Sequence, residues 1–379
     1  MKHAPFAQDP TPFAAPRYHR VTVLGSGSWG TALASTLARA GVETRLWGRD
    51  AALADEINTR RTNSRYLGDA ALPAIHATTD LAEALDGAEA CLLVIPSTAI
   101  RATARAAAPH MPPGIPVAIC AKGIEESSGL LLSDVAAEEL PGHSVGCVSG
   151  PTFAHETAMG YPTASTVAFE FSHADRLHPD KAAAVRLAVS LTNESFRAYV
   201  SDDLVGVEIG GAVKNVIAIA CGMMTGAGFA ENTRAALITR GLDEMKALAE
   251  ALGGRRETVT GLSGIGDLTL TCSSTTSRNM ALGTQLGQGL SRDACFDGAP
   301  VVVEGELNAA SVTDLAARVG VEMPICQTVR AILHDGADLA EAFAALWARP
   351  IQAEPRSMQL SISHPSTETD IARLAERIK

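Results

Sequence analysis

The chain has 379 residues, with 31 Lys and Arg against 42 Asp and Glu, for a formal net charge of -11 at pH 7. Hydrophobic residues make up 46% and charged residues 19%, and there are 33 glycines, a composition that excludes a disordered chain or a fibre and fits close Ala/Gly packing. The acidic balance argues against a broad nucleic-acid surface, and the length predicts two domains.

Residues 1–19 are Pro-rich and lack the apolar core of a secretory signal, so they read as a flexible arm. From 20 to 200, short β-rich runs alternate with Ala-rich segments of helical period: "RVTVLG", "ETRLWG", "ACLLVIP", "PVAICAKG", "SVGCVSG", "STVAFEF" and "FRAYV". That alternation predicts α/β architecture, a Rossmann-like, largely parallel, doubly wound sheet. From 201 to 350 strand signals nearly vanish, and helical stretches such as "ENTRAALITRGLDEMKALAEALG" and "SVTDLAARVGVEMPICQTVRAILHDG" predict an all-helical second domain. A cleft between the two is the expected ligand site. Residues 351–379 form an extension, Pro/Ser-rich and then a short charged helix "TDIARLAERIK", with no catalytic role assigned. The seven cysteines, Cys91, Cys120, Cys147, Cys221, Cys272, Cys295 and Cys326, form no CxxC pair. They read as reduced thiols of a cytoplasmic protein.

In "RVTVLGSGSWGTALASTLARAG", Gly25, Gly27 and Gly30 follow a strand and open a helix. The first permits a tight turn, the second lets backbone amides approach a pyrophosphate, and the third lets helix and strand pack closely, which predicts a dinucleotide on the helix N-terminus. The second strand, "ETRLWGRD", ends at Gly48 and Arg49 where an NAD site offers an acid to the ribose. Asp50 reads instead as a helix N-cap. Arg49 can meet a 2′-phosphate, so NADPH is favoured, with dual use of NADH open.

The run "GGAVKNVIAIACGMMTGAGFA", residues 210–230, carries one charged side chain, Lys214. An ammonium among packed helices costs several kcal/mol unless paired, of order 2–7 for an unpartnered polar group alone, so Lys214 either reaches water or is kept for chemistry. The apolar run after it spans only about fifteen residues and carries glycines, too short for a membrane span of about 20.

The stretches "GSGSWGTALA", "AKGIE", "SGPTFA", "GVEIGGAVKNVIAIACG", "NTRAALITRGLDEM", "GIGDLTLTCSSTTSRN" and "VEG" occur in order over roughly Val21 to Pro350. In these stretches the chain resembles the bacterial NAD(P)-dependent glycerol-3-phosphate dehydrogenases. The resemblance implies reversible reduction of dihydroxyacetone phosphate to sn-glycerol 3-phosphate, an entry to phospholipid synthesis, and a homodimer. It makes Lys214 the proton donor and acceptor. It also assigns Lys122 to substrate and cofactor, and Gly150, Thr152, Asp267, Ser277, Arg278 and Asn279 to substrate. Cofactor contacts are implied for Ser28, Trp29, Ala154, Arg278, Val302 and Glu304, with the valine register open within "VVV".

The residue chemistry agrees. Hydride addition to a ketone leaves a developing alkoxide, which an ammonium stabilises and protonates. A phosphate needs a fixed cation with directional donors, which Arg278, Ser277 and Asn279 supply. Asp267 is expected to accept a substrate hydroxyl or to orient Lys214, and Asn215 to hold an oxygen or the lysine. His155, beside "SGPTFA", is expected at the surface. No HExxH, paired Cys/His cluster or EF-hand spacing occurs, so no metal is expected. Two other readings stay open: a dehydrogenase of hydroxy or sugar acids with a similar second domain, and a non-catalytic dinucleotide sensor.

Overall fold

The computed structural model describes residues 12–354, 358 and 360–378. Most of the predicted N-terminal arm therefore lies outside the described residues. Eight strands form one sheet: β1 (Arg20–Leu24), β2 (Glu43–Trp47), β3 (His76–Thr78), β4 (Ala90–Leu93), β5 (Val117–Ile119), β6 (Val145–Ser149), β7 (Thr163–Phe169) and β8 (Phe196–Ser201). Their order is β3-β2-β1-β4-β5-β6-β7-β8. The first six are parallel, β7 is antiparallel to β6, and β8 is parallel to β7. Each of the seven predicted runs is a strand. β3 was missed because three residues, "HAT", are too few to show a period; pairing of His76–Thr78 with Arg45–Trp47 defines it.

Helices cover both faces, so the central strands are apolar on both sides. Ala90 and Leu92 of β4 pack into one core, Cys91 and Leu93 into the other. Strand order reverses at β1 and β4, which opens a crevice at their carboxyl ends, the position where doubly wound sheets bind nucleotides.

After β8, Asp203 caps the helix Leu204–Gly226 by accepting from the Gly206 amide at 2.9 Å. This core helix is long and apolar enough, by length and composition, to cross a membrane, and 89% of that apolar window is buried inside the fold. Leu204 and Val207 belong to the sheet's core, and residues from Ile209 onward to the helical core, so one helix joins both packing units. Its glycines serve close approach. A Cβ on Gly222 would lie 2.3 Å from the Met280 carbonyl oxygen, and one on Gly283 would lie 2.1 Å from that of Ile219. Gly226 and Gly287 are equally tight against Thr284 and Met223. The helix Arg278–Gly287 is thereby laid directly on the core helix, with its N-terminus beside Lys214. Gly222→Ala must push the two backbones apart, and overpacking of this kind costs about 1–3 kcal/mol. A fall in melting temperature of several degrees is expected; a parental melting curve would show that the contact is slack.

The stretch from Ser311 to Gly336 is two helices, Glu304–Arg318 and Pro324–His334. Gly320, at φ 71°, ends the first and Pro324 starts the second. In the extension, β9 (Ile351–Gln352) pairs antiparallel with β10 (Ser361–Ile362), and the helix Glu368–Ile378 packs Leu374, Ala375 and Ile378 on the helical core. All seven cysteines are buried free thiols.

Candidate active site

A cleft of about 350 Å³ opens where the carboxyl ends of β1 and β5 face the core helix. Its floor is ionic. Lys214 is 7% exposed; its Nζ lies 2.9 Å from Asp267 Oδ1 and donates to Thr271 Oγ1 at 2.7 Å. Asp267 and Thr271 stand four residues apart on the helix Asp267–Ser273 and so share a face. Thr271 Oγ1 in turn donates to Asp267 Oδ1 at 3.2 Å. A wide turn, Leu262–Gly266, delivers that face to Lys214 by packing against Gly210, where a Cβ would come within 2.7 Å of the Ser263 carbonyl oxygen.

Lys122, in the loop after β5, pairs with the second oxygen, Asp267 Oδ2, and its Nζ is 3.5 Å from the Gly150 carbonyl oxygen. Burial pushes the Asp267 carboxyl up, but the charges of Lys122 and then Lys214 outweigh it and hold it below the usual carboxylate range. Burial draws the Lys214 ammonium below the usual lysine range, Asp267 opposes that, and Lys122 adds to it. Two ammoniums against one carboxylate leave the floor cationic. Of the two expected roles for Asp267, orienting Lys214 is the one that its contacts support, because each carboxylate oxygen already meets a lysine.

The wall opposite is the N-terminus of the helix Arg278–Gly287. Ser277 caps it, accepting from the Met280 amide at 3.3 Å, and Arg278 is exposed at its first position. Asn279 donates to Asn215 Oδ1 at 2.9 Å and accepts from the Gly305 amide at 2.9 Å, while Asn215 donates to Glu304 Oε2 at 3.2 Å. Asn215 therefore does not hold the lysine; its amide locks three helices around the cleft.

On the cofactor side, Gly25 has φ 128°, and a Cβ there would sit 2.0 Å from the Val94 carbonyl oxygen; at Gly30 it would sit 1.7 Å from that of Gly25. At Gly27 it would meet nothing within 4 Å. Two glycines are thus required by the protein's own backbone. The third keeps open space before the N-terminus of the helix Ser28–Arg39, which fits a pyrophosphate. Asn63, fully buried, ties the turn down through Ser26 O at 3.1 Å and Thr31 Oγ1 at 2.8 Å. A side chain at Gly48 would collide with Ser26 Oγ, 2.0 Å from its Cβ, so no acid fits there. Asp50 is the N-cap expected, accepting from Ala52 and Leu53. Arg49 is exposed, without a hydrogen bond or ion pair among the described residues.

The cleft gathers Ser28, Trp29, Lys122, Thr152, Ala154 and Lys214, and with them Asp267, Ser277, Arg278, Asn279 and Glu304. His155 stands exposed at its rim. Val302 is 57% exposed and outside the lining, while its neighbour Val303 is buried in the core as the cap of the Glu304 helix. A larger cavity, about 640 Å³, lies at the opposite ends of the strands around Tyr18, Glu89 and Phe171. It holds none of these residues, and in this architecture ligands sit at the carboxyl ends.

Residues 20–175 match the model of the NAD-dependent glycerol-3-phosphate dehydrogenase N-terminus, and residues 203–344 that of its C-terminus. The chain belongs to the NAD-dependent glycerol-3-phosphate dehydrogenase family. It is 47% identical over 350 residues to the glycerol-3-phosphate dehydrogenase [NAD(P)+] of Rhodospirillum rubrum, covering 92% of this chain and 97% of that one. Among solved structures, it is similar to the glycerol-3-phosphate dehydrogenase of Coxiella burnetii, at 38% identity and a TM-score of 0.79 over 87% of this chain and 99% of that one. The Saccharomyces cerevisiae enzyme follows at 25% identity and 0.76, covering 87% and 99%.

Within this glycerol-3-phosphate dehydrogenase fold, sequence reasoning passed over Thr271, Tyr66, Cys120, Phe153 and Thr276, all of which line the cleft. Thr271 was legible as the residue one helical turn beyond Asp267. Tyr66 was not, because only the tie from Asn63 to the glycine turn brings it to the mouth.

Proposed function

We propose that this cleft carries out the reversible reduction of dihydroxyacetone phosphate to sn-glycerol 3-phosphate with NAD(P)H, and that Lys214 gives and takes the proton at the substrate oxygen. The observation that carries this reading is the cationic floor, two lysines on one buried carboxylate, beside a capped helix N-terminus bearing Arg278. The substrate phosphate is held by Arg278 with Ser277 and Asn279, whose backbone end of the helix favours an anion. Lys122, Gly150 and Thr152 bound the other side of the substrate. Gly25, Gly27, Ser28, Trp29 and Gly30 receive the dinucleotide, with Ala154 and Glu304 completing its far wall.

Bound nicotinamide supplies the hydride. The protein's own task is the charge that develops on the carbonyl oxygen: Lys214 Nζ stabilises it and delivers a proton, and in reverse accepts one. Its lowered proton affinity suits both directions. Asp267 keeps the ammonium aimed, and Thr271 fixes its second hydrogen. The product's place in glycerophospholipid synthesis, a cytoplasmic setting, a homodimer, and domains spanning 20–200 and 201–350 complete the reading.

Mixing the purified chain with NADPH and dihydroxyacetone phosphate and following nicotinamide absorbance tests it. Oxidation that requires the phosphate supports it. Activity confined to hydroxy or sugar acids, or cofactor binding without turnover, would replace it with one of the other two readings. Cofactor choice is predicted to turn on Arg49, at the tip of β2 and unpaired among the described residues. Arg49→Asp should raise the NADPH Kd by about 10- to 100-fold, the range of one lost charged hydrogen bond, and leave NADH little changed. Equal loss for both would place the 2′-phosphate elsewhere.

A further inference from the structure

Glu208 is a buried carboxylate that the proposed chemistry does not use. It lies on the core helix six residues before Lys214, about 9 Å along the axis at 1.5 Å per residue, and it does not line the cleft. Its partners are on the sheet side of the molecule. Oε1 accepts from the Ser133 amide at 3.0 Å, and Oε2 accepts from Ser133 Oγ. Leu132 and Ser133 open the helix Leu132–Glu139, whose own N-cap residue, Leu131, has no side chain able to cap it. A helix N-terminus leaves amides unpaired and carries partial positive charge. Here the cap comes from a different helix, 75 residues on.

That helix start is also the base of the loop that carries Lys122. The loop leaves β5 and closes on itself by the pairing of Ile124 with Leu131. Its upper end is tied to the same core helix by Asn308, which donates to the carbonyls of Lys122, at 3.4 Å, and Ala212, at 3.2 Å. The loop is therefore fixed to the core helix at two points, at Lys122 itself through Asn308 and at Ser133 through Glu208.

We infer that Glu208 is a positioning residue: by capping the helix Leu132–Glu139 from the core helix, it holds the Lys122 loop in register with Lys214 so that both ammoniums meet Asp267. This rests on the reading of Lys214 as the proton donor. Loss of the cap lets the loop drift, Lys122 separates from Asp267, and the aim and proton affinity of Lys214 change with it. Displacements of about 1 Å at a reacting group cost up to about 10²-fold in rate.

The group's titration supplies a readout that mere packing would not. Burial raises Glu208 to about 7, against the lowering effect of the Ser133 hydrogen bonds; Asp134 raises it further. Of the other ionisable groups, Cys147 on β6 feels Glu208 together with Cys120, Asp203 and Lys122, and Glu170 after β7 acts on Asp134. Because the folded value lies above the unfolded one, this group's contribution to stability is present at low pH and is lost as pH rises through about 7. The cap is strongest when the carboxylate is ionised. Turnover should therefore rise over the pH interval in which stability falls.

The test compares Glu208→Gln, Glu208→Ala and Ser133→Ala in the full-length chain, alone and on Lys214→Met. Glu208→Ala is expected to lower kcat by about 10-fold or more while the NADPH Kd, from titration of nicotinamide fluorescence, stays within about twofold. Glu208→Gln, which keeps an acceptor for Ser133 but carries no charge, should hold kcat near the parent's value below pH 7 and flatten its pH profile near 7. On Lys214→Met, Glu208→Ala should add no further loss, since both act on one proton. A parental kcat and pH profile in Glu208→Ala, or additive losses with Lys214→Met, overturn the positioning role. If Glu208→Ala does not fold, Ser133→Ala and the Gln profile decide on the same criteria. A fully active Lys214→Met would instead overturn the reading beneath it.

Discussion

Lys214→Met is expected to lower turnover by about 10²- to 10⁴-fold, the usual contribution of a general acid-base group, with loss of alkoxide stabilisation adding to it. Folding and cofactor binding should stay near parental. The structure gives the reason. Removing one member of a buried ion pair ordinarily costs about 3–5 kcal/mol because the other charge is stranded. Asp267 is not stranded here, because Lys122 remains on its second oxygen. Methionine fills most of the lysine stem's volume, and the ammonium's own desolvation cost disappears. A melting curve, an NADPH titration and a rate assay on one preparation check this. A stable variant that binds NADPH and turns over within a few-fold of the parent would remove Lys214 from the chemistry.

Arg278→Lys is expected to raise the KM for dihydroxyacetone phosphate by about 10- to 100-fold, from the roughly 1.5–3 kcal/mol of a charged hydrogen bond. A lysine keeps the charge but loses the planar fork that meets two phosphate oxygens. The site leaves the guanidinium free for this role. It stands exposed at the first position of its helix, above the Ser277 cap, and makes no hydrogen bond or ion pair among the described residues. The change should be small for unphosphorylated dihydroxyacetone. The same rise for both substrates would mean that Arg278 acts on something other than the phosphate.

Short-range patterns carried much of this. The glycine turn, the strand–helix alternation and the Asp50 cap depend on neighbours within a few residues, so the sequence displays them directly. The single lysine in an apolar helix was visible as an anomaly, and the family motifs gave it a role. Its environment was not visible. Lys122, Asp267 and Thr271 are 92, 53 and 57 positions away from Lys214, and no local period reports which of them closes on it. Asn215 shows the cost of reading neighbours along the chain: successive residues on a helix point about 100° apart, so it faces Glu304 and Asn279 rather than the lysine.

What the sequence by itself determined is the class of fold, the nucleotide turn and the residue types needed for ketone reduction beside a phosphate, because each is written in composition, period or motif. The tertiary structure alone decided which charged groups meet and which backbone contacts bring them together. Gly222 against Met280, Gly210 against Ser263 and Glu208 on Ser133 join elements far apart in the chain. Such contacts form only when long-range packing repays the entropy of closing the loops between them, and a linear pattern holds no record of that closure.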